Sequence, residues 1–229
     1  IIILTPSEDR RFIHTVGANA DLGIDDIDFD YLRQAKILYI GGYGVLPKLD
    51  EESLVRVLKF AKEHGLITLL DVVIPHREVN WVNKCRKVLK FTDFFLPNSD
   101  EAKMITGQLD PEKQAEKILK YNPEMTVIIT MGKEGSLVRT RDKIIRASSY
   151  KIEVVDPSGG GDAFTGGFIF GIMNAWDLTE TLKFASAMGA SAVRKIGCTT
   201  GVFTREEASK FIQNKEIKIT SRKEIAYGG

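Results

Sequence analysis

Short apolar runs alternate with helical patterns along most of this sequence. The runs are rich in Val, Ile, Leu and Phe, and each is followed by a segment with apolar residues at helical spacing. The predicted strands are Ile37–Ile40, Leu66–Leu70, Phe94–Leu96 and Val127–Met131. Alternation of this kind predicts an α/β fold, in which a mostly parallel sheet is covered by helices on both faces.

Capping residues mark where several of the helices begin. Asp110-Pro111 places proline at the favoured first helical position. The patterns Asp177-x-x-Glu180 and Thr204-x-x-Glu207 are capping boxes, in which two side chains satisfy the first free amides of a helix. They predict two further helices in the last quarter of the chain.

The first residues predict a β-hairpin. Ile1–Leu4 is apolar and largely β-branched, Thr5–Asp9 carries turn residues, and Arg11–Val16 alternates in polarity. Because the sequence starts inside a strand with no polar lead, we expect it to be cut from a longer one or to be a reduced protein.

Composition excludes several classes of protein. The chain has 32 lysines and arginines against 31 aspartates and glutamates, so it offers no charge excess for nucleic acid. No apolar run approaches the roughly 20 residues that a membrane-spanning helix needs. Two cysteines far apart in sequence predict reduced thiols. We therefore expect a soluble cytoplasmic protein with no membrane partner.

A turn of three glycines joins a predicted strand to a predicted helix. The strand is Lys151–Val155, the glycines are Gly159–Gly161, and the helix is Ala163–Trp176. Glycines let a ligand approach the main chain, and amides at a helix start favour an anion such as phosphate. Asp162 lies beside that position, which predicts phosphoryl transfer with a general base. The alternative is a tight connection with an ordinary aspartate cap.

Two other polar clusters follow predicted strands. Asn98–Glu101 comes after one strand and Gly132–Gly135 after another. Ligands of parallel sheets bind at the carboxyl ends of strands, so these clusters and the glycine turn are expected to share one edge of the sheet. An amide and a carboxylate suit Mg²⁺, although acidic residues in a first helical turn are common without any ligand.

The nine residues Asp156–Phe164 resemble the signature Asp-Thr-x-Gly-Ala-Gly-Asp-x-Phe of the ribokinase-like (PfkB-type) sugar kinases, with Pro157 and Gly160 as the departures. Asn98-x-x-Glu101 and Thr130-x-Gly132-x-x-Gly135 resemble two further motifs of that family. The resemblance implies a three-layer α/β/α fold with a mostly parallel central sheet. It also implies a partial β lid hairpin over residues 1–20 and a kinase domain over residues 21–229.

The resemblance implies ATP-dependent phosphorylation of a sugar or similar small alcohol. Asp162 would be the general base, and Gly159, Gly160 and Gly161 would bind the transferred phosphoryl group. Glu101 would hold Mg²⁺ through water. Asp156, Ser158 and the loop Ile196–Gly201 correspond to a monovalent cation site, such as one for K⁺, found in some members. The residues implied to bind the nucleotide are Asn98, Glu101, Thr130, Gly132, Gly135, Ser186 and Ala187.

The acceptor is not predicted. The family's amino-terminal sugar-binding strand and Gly-Gly-x-x-x-Asn segment do not occur in this sequence, so the sugar cannot be named. Asp71 and Gly41–Gly44 lie at predicted strand ends, where substrate contact and a solvent-facing turn are equally good explanations. Two alternatives stay open: a nucleoside kinase, and a catalytically impaired nucleotide-binding or regulatory domain. A homodimer through the β lid is a further expectation.

Overall fold

The structure is a computed structural model that describes residues 1–4, 11–74 and 81–224. Among these residues the strands are β1 (Ile2–Ile3), β2 (Arg11–Phe12), β3 (Ile37–Tyr43), β4 (Ile67–Val72), β5 (Phe94–Phe95), β6 (Thr126–Thr130), β7 (Ser136–Arg139), β8 (Lys143–Ala147) and β9 (Ile219–Lys223). The helices are α1 (Phe29–Leu32), α2 (Glu51–Glu63), α3 (Trp81–Leu89), α4 (Ser99–Thr106), α5 (Pro111–Leu119), α6 (Gly160–Met173), α7 (Leu178–Ala192) and α8 (Arg205–Asn214).

Within the described residues, seven strands form one sheet in the order β3-β4-β5-β6-β7-β8-β9. The pairs β3–β4, β4–β5 and β5–β6 are parallel, with Tyr39 opposite Leu69 and Leu69 opposite Phe94. Thr140 N donates to Lys143 O at 2.9 Å in the short turn between β7 and β8. A connection this short joins antiparallel neighbours. The predicted α/β architecture with a mostly parallel sheet is confirmed.

Contacts divide the chain into two compact units. The described residues within Val16–Thr130, Leu137–Ile144 and Arg222–Gly229 form one, which we call the sheet unit. Those within Ile1–Thr15, Met131–Ser136 and Ile145–Ser221 form the other, which we call the glycine-turn unit.

The core of the sheet unit lies between its strands and the helices that follow them. Leu69, Leu70 and Phe95 are fully buried in β4 and β5. Helix α2 buries Leu54, Val57, Leu58 and Ala61, which recur at helical spacing. Burying a side chain of this size contributes about 1.5–3 kcal/mol. This core fixes where the strands end, and therefore where the polar residues that follow them lie.

The core of the glycine-turn unit is the close packing of α6 against α7. A Cβ on Gly167 would lie 2.8 Å from Ala185 Cα, and one on Gly171 would lie 2.6 Å from Thr181 Oγ1. The two helices therefore approach more closely than larger side chains would allow. At one end, Phe170 and Phe184 stack with their ring centroids 5.1 Å apart.

The secondary structure differs in three places from what the sequence predicted. Lys151–Val155 is not a strand, and its Val154 and Val155 side chains are exposed. Helix α6 begins at Gly160, three residues before the predicted start. Strand β9 was not predicted, because its mostly exposed residues show no apolar alternation. The predicted hairpin strands do pair, Ile2 with Phe12, while their turn lies outside the described residues.

Candidate functional site

Helix α6 begins at the glycine turn without a side-chain cap. Gly159 precedes the helix with φ +78° and ψ −5°, which is left-handed backbone that favours glycine. A Cβ on Gly159 would lie 2.5 Å from Cys198 O, so the turn also packs tightly against the loop after α7. The first hydrogen bond of the helix runs from Ala163 N to Gly159 O at 2.9 Å.

The amides of Gly160, Gly161 and Asp162 come before that first helical hydrogen bond, and no side chain in the described part of the chain caps them. Gly161 has open space where a Cβ would be, and both Gly161 and Asp162 are exposed. Asp162 occupies the first turn of α6. An anion at this helix start would therefore meet free amides with a carboxylate beside them.

The Asp156 carboxylate ties the glycine turn to the loop after α7. It is 4% exposed and accepts hydrogen bonds from Ser158 N at 2.9 Å and from Gly197 N at 3.0 Å. Ser158 Oγ is buried and has no hydrogen-bond partner among the described residues. A buried hydroxyl without a partner costs free energy unless a ligand satisfies it, which fits the cation expected at Asp156 and Ser158.

Asn98 and Glu101 form a capping box at the start of α4. Asn98 Oδ1 accepts from the amides of Asp100 and Glu101, both at 2.9 Å, and Glu101 Oε2 accepts from Asn98 N at 2.9 Å. Burial raises the pKa of the Glu101 carboxyl to about 7; hydrogen bonds from Asn98 oppose the rise, and the charges of Asp71 and Asp100 add to it. Asn98 and Glu101 thus cap α4. The second carboxylate oxygen of Glu101 takes no part in this cap.

Thr130 lies beside this corner. Asn98, beyond the end of β5, forms a parallel bridge with Thr130, the last residue of β6, and Thr130 N donates to Pro97 O at 3.2 Å. The sheet unit therefore brings together three of the predicted site residues, Asn98, Glu101 and Thr130, at the carboxyl ends of neighbouring strands. Asp71 lies at the same edge, near the end of β4.

Gly132 and Gly135 belong to the turn between β6 and β7. Both have positive φ, +55° and +95°. A Cβ on Gly135 would lie 1.9 Å from Ala147 O, so packing alone requires glycine there. A Cβ on Gly132 would meet no neighbour, so its backbone is open to a ligand. Of the two, only Gly132 is left without a packing explanation beyond its φ.

Ser186 and Ala187 lie on α7 with different surroundings. Ala187 is fully buried, so its small size fits the close packing of α6 and α7. Ser186 is half-buried and is the better candidate for a ligand contact.

Three interactions near the predicted site residues were not predicted from the sequence. The first is the hydrogen bond from Gly197 N to Asp156, although the loop that holds Gly197 was expected near Asp156. The second is the hydrogen bond from Tyr39 Oη to Asp71 Oδ2, at 3.3 Å. The third is the carbonyl of Val193, which accepts from the amides of Val155 and Asp156. These partners are 32 to 41 residues apart, so no local pattern indicates them.

Metal binding by protein side chains alone is not indicated. Among the residues that the structure describes, no three His, Cys, Asp or Glu side chains come together as a metal cluster. Mg²⁺ commonly binds one or two carboxylates together with phosphate oxygens and water, and Glu101 fits that pattern. None of the described helices is both long and apolar enough to cross a membrane.

Comparison with known proteins identifies the class of protein to which this fold and these motifs belong. The sequence pattern of the pfkB family carbohydrate kinases matches residues 1–205. The chain belongs to that family, and it has the family's ribokinase-like α/β/α fold.

Individual relatives extend this result. The 5-dehydro-2-deoxygluconokinase of Clostridium perfringens is 31% identical over 226 aligned positions, which cover 93% of this chain and 66% of the relative. A ribokinase structure from Thermotoga maritima has a TM-score of 0.76 and 26% identity, covering 93% of this chain and 68% of that one. A structure from E. coli with ATP and Mg²⁺ has a TM-score of 0.75 and 23% identity, covering 90% and 68%. The chain therefore spans slightly less than two thirds of the curated relatives that it matches.

Proposed function

We propose that this chain carries the nucleotide-binding and phosphoryl-transfer machinery of an ATP-dependent carbohydrate kinase. The observation that carries the proposal is the start of α6, where uncapped amides and Asp162 stand together after a left-handed glycine. Membership of the pfkB family of carbohydrate kinases supports the proposal. Transfer of a phosphoryl group needs positioning, charge neutralisation and a base, and amides and a carboxylate at a helix start suit those tasks.

Asp162 acts as the general base in this proposal. Its carboxylate is exposed and makes no hydrogen bond or ion pair with the part of the chain that the structure describes, so it is available to a substrate. It takes the proton from an acceptor hydroxymethyl group as that oxygen attacks the γ-phosphorus of ATP. The proton moves to the carboxylate, the new oxygen–phosphorus bond forms, and the bond to ADP breaks.

The amides at the start of α6 stabilise the transferred group. Gly160 N and Gly161 N precede the helical ladder, and the left-handed Gly159 turns the chain so that they are free. Preorganised donors of this kind contribute most where negative charge is concentrated in the transition state.

Mg²⁺ and ATP are the implied cofactor and co-substrate. In our proposal Glu101 would hold Mg²⁺ through water, and the metal would neutralise phosphate charge. Asn98, Thr130, Gly132 and Gly135 are proposed to line the nucleotide site with Glu101. Ser186 and Ala187 are proposed to contribute from α7. The E. coli structure with ATP and Mg²⁺ has the same fold, and this shared fold is the support that it gives to this choice of ligands.

A monovalent cation such as K⁺ is proposed at Asp156 and Ser158. The unpartnered, buried Ser158 Oγ supports it, because a cation would satisfy that oxygen. Replacement of K⁺ by a large organic cation is expected to lower activity, and indifference to the replacement would contradict this part of the proposal.

The acceptor that we propose to test first is 5-dehydro-2-deoxygluconate, because the relatives that are up to 31% identical are named as its kinase. Ribose is the second choice, on the likeness to a ribokinase at 26% identity. A homodimer through the β1–β2 hairpin is proposed as well, since Ile1 and Ile13 are 82% and 61% exposed there. A cytoplasmic location fits the free thiols of both cysteines.

The test is ADP release with Mg·ATP over a panel of sugars, sugar acids and nucleosides. It should be run on this chain and on any longer product of the same reading frame. Turnover of a sugar or sugar acid supports the proposal. Turnover of nucleosides alone would make the chain a nucleoside kinase, and nucleotide binding without turnover in either version would favour a regulatory domain.

A further inference from the structure

Tyr39 and Asp71 are joined across two neighbouring strands of the sheet unit. In the parallel pair β3–β4, Tyr39 is opposite Leu69, and Asp71 lies two residues further on, so the two side chains share a face of the sheet. Tyr39 Oη donates a hydrogen bond to Asp71 Oδ2 at 3.3 Å. Asp71 Oδ1 accepts from Val72 N at 2.7 Å, which fixes the carboxylate from its other side.

The backbone is shaped to let the tyrosine reach this position. A Cβ on Gly41 would lie 2.8 Å from Tyr39 Oη, so any larger residue at 41 would push the ring away. The ring therefore lies along β3 towards its carboxyl end. Tyr39 is 37% exposed and Asp71 is half-buried, so a ligand can reach the pair.

The order of the strands places this pair on a defined side of Glu101. Across the sheet, Thr130 ends β6, Asn98 and Glu101 follow β5, Asp71 is the last residue but one of β4, and Tyr39 lies on β3. Neighbouring strands are about 4.8 Å apart. The strands of Asp71 and Tyr39 are therefore displaced by about 5 and 10 Å from β5, the strand that Glu101 follows, in the direction away from Thr130.

That direction matters for phosphoryl transfer. The attacking and leaving oxygens lie roughly in line through the phosphorus, so nucleotide and acceptor lie on opposite sides of the transferred group. If Thr130 marks the nucleotide side and Glu101 the phosphates, the next position along the edge belongs to the acceptor. The distance to Asp71 and Tyr39 is about the size of a sugar.

We propose that Tyr39 and Asp71 form a hydroxyl-binding pair that recognises the acceptor. The ligand class is a polyhydroxylated carbon chain, such as a sugar or sugar acid. A carboxylate has about four acceptor positions and a phenol oxygen has two lone pairs, so together they can take hydrogen bonds from adjacent hydroxyl groups. The inference rests on the proposed kinase function, which supplies the direction from nucleotide to acceptor.

The test compares Tyr39→Phe and Asp71→Asn with Tyr31→Phe, which removes the hydroxyl of a 75% exposed tyrosine on α1. KM and kcat are measured separately for the acceptor and for ATP. We expect the acceptor KM to rise about fivefold for Tyr39→Phe and tenfold or more for Asp71→Asn, as for loss of one neutral and one charged hydrogen bond. The KM for ATP should stay within about twofold, and Tyr31→Phe should match the unaltered chain.

Monodeoxy analogues of the best acceptor sharpen the result. If the pair contacts a hydroxyl directly, the analogue that lacks this hydroxyl loses affinity with the unaltered chain but little more with Asp71→Asn. Equal penalties for every analogue in both proteins would overturn direct contact. A changed Mg²⁺ requirement with an unchanged acceptor KM would also overturn it, because Asp71 would then act on Glu101.

Calorimetric titration of the acceptor without ATP separates this inference from the proposed function. Acceptor binding that weakens in Tyr39→Phe supports the pair even if no turnover is found, in which case the kinase function alone fails. Turnover with unchanged acceptor binding in both variants overturns the pair alone. No binding of any acceptor by the unaltered chain overturns both.

Discussion

Helices α4 and α6 both begin at residues predicted to serve the site, but they begin differently. At α4, Asn98 and Glu101 exchange hydrogen bonds with each other's backbone, so that helix start is already satisfied by the protein. At α6, Gly159 offers no side chain, and the first amides are left uncapped. A ligand must compete with the protein at α4, whereas at α6 it completes the helix.

The two helix starts therefore serve the protein differently, although sequence motifs mark both of them as site residues. Residues at the start of α6 leave amides and a carboxylate that no described side chain satisfies, and in our proposal a substrate uses them. Residues at the start of α4 stabilise the fold first, and Glu101 has one oxygen left for a metal. We therefore expect changes at Gly161 and Asp162 to affect activity more than stability, and changes at Asn98 and Glu101 to affect both.

The largest effect should come from Asp162→Asn. It removes the base but keeps the size and polarity of the side chain, so turnover should fall by about two to four orders of magnitude. Unfolding temperature and ATP affinity should change little. Asp110→Asn, at the cap of α5, is the matched control, because asparagine caps as well as aspartate. Turnover close to normal in Asp162→Asn would remove Asp162 from the mechanism.

The next effect contrasts two glycines of the same turn. Gly159→Ala forces a side chain into left-handed backbone and against Cys198 O, so it should destabilise the fold by roughly 2 kcal/mol or more. Gly161→Ala meets no neighbour and adds a better helix former, so stability should rise by up to about 1 kcal/mol.

Activity should respond in the opposite way for Gly161→Ala. Its methyl group stands beside the uncapped amides, so kcat/KM should fall about tenfold or more while the protein becomes no less stable. Chemical denaturation and steady-state kinetics on both variants check this. If Gly161→Ala is fully active, the start of α6 does not bind the transferred group.

A smaller effect is expected at α4, from Glu101→Gln. Because burial raises the pKa of Glu101 to about 7 in the folded protein, the folded state binds this proton more tightly than the unfolded state does. Its contribution to stability is therefore present below the unfolded pKa of 4.5 and is lost as pH rises through about 7.

Glu101→Gln should abolish that loss and keep an acceptor for Asn98 N. In metal-free buffer at pH 8 it should be more stable than the unaltered chain by about 1–2 kcal/mol. Denaturation between pH 4.5 and 8 measures this. Parallel stability curves for the two proteins would show that Glu101 is not desolvated in solution.

The smallest effect is expected from Ser158→Ala, back at the glycine turn. Removal of a buried hydroxyl with no partner should leave stability unchanged or raise it by less than about 1 kcal/mol. Activity should lose its dependence on K⁺ if the hydroxyl binds that cation. A clear loss of stability would mean that Ser158 Oγ has a partner in the protein, and the cation proposal would lose its support.

The sequence was sufficient for the architecture and for the local parts of the site. Helical and strand periodicity gave the parallel strands, and the capping residues Asp110, Asp177 and Thr204 gave helix starts, because those signals are local. Lys151–Val155 was predicted as a strand on β-propensity alone. Its last residue, Val155, and the next residue, Asp156, instead donate their amides to Val193 O, which no propensity could indicate.

Other contacts depended on register and distance along the chain. The pairing of Tyr39 with Asp71 follows from the alignment of β3 on β4, which periodicity does not determine. The buried Asp156 carboxylate accepts a hydrogen bond from Gly197 N, which is 41 residues away along the chain. Asp71 was noticed at a strand end in the sequence, but only the register showed which residue it meets.

Because Cys198 lies close to Gly159, a fluorescent dye on its thiol could report changes at the glycine turn. Cys85 is buried, which raises the pKa of its thiol to about 12, so it should not react with a maleimide at neutral pH. Cys198 is exposed, and these are the only two cysteines of the chain. One dye molecule would therefore attach at a single known place beside the glycine turn, where its emission could report ligand binding in real time.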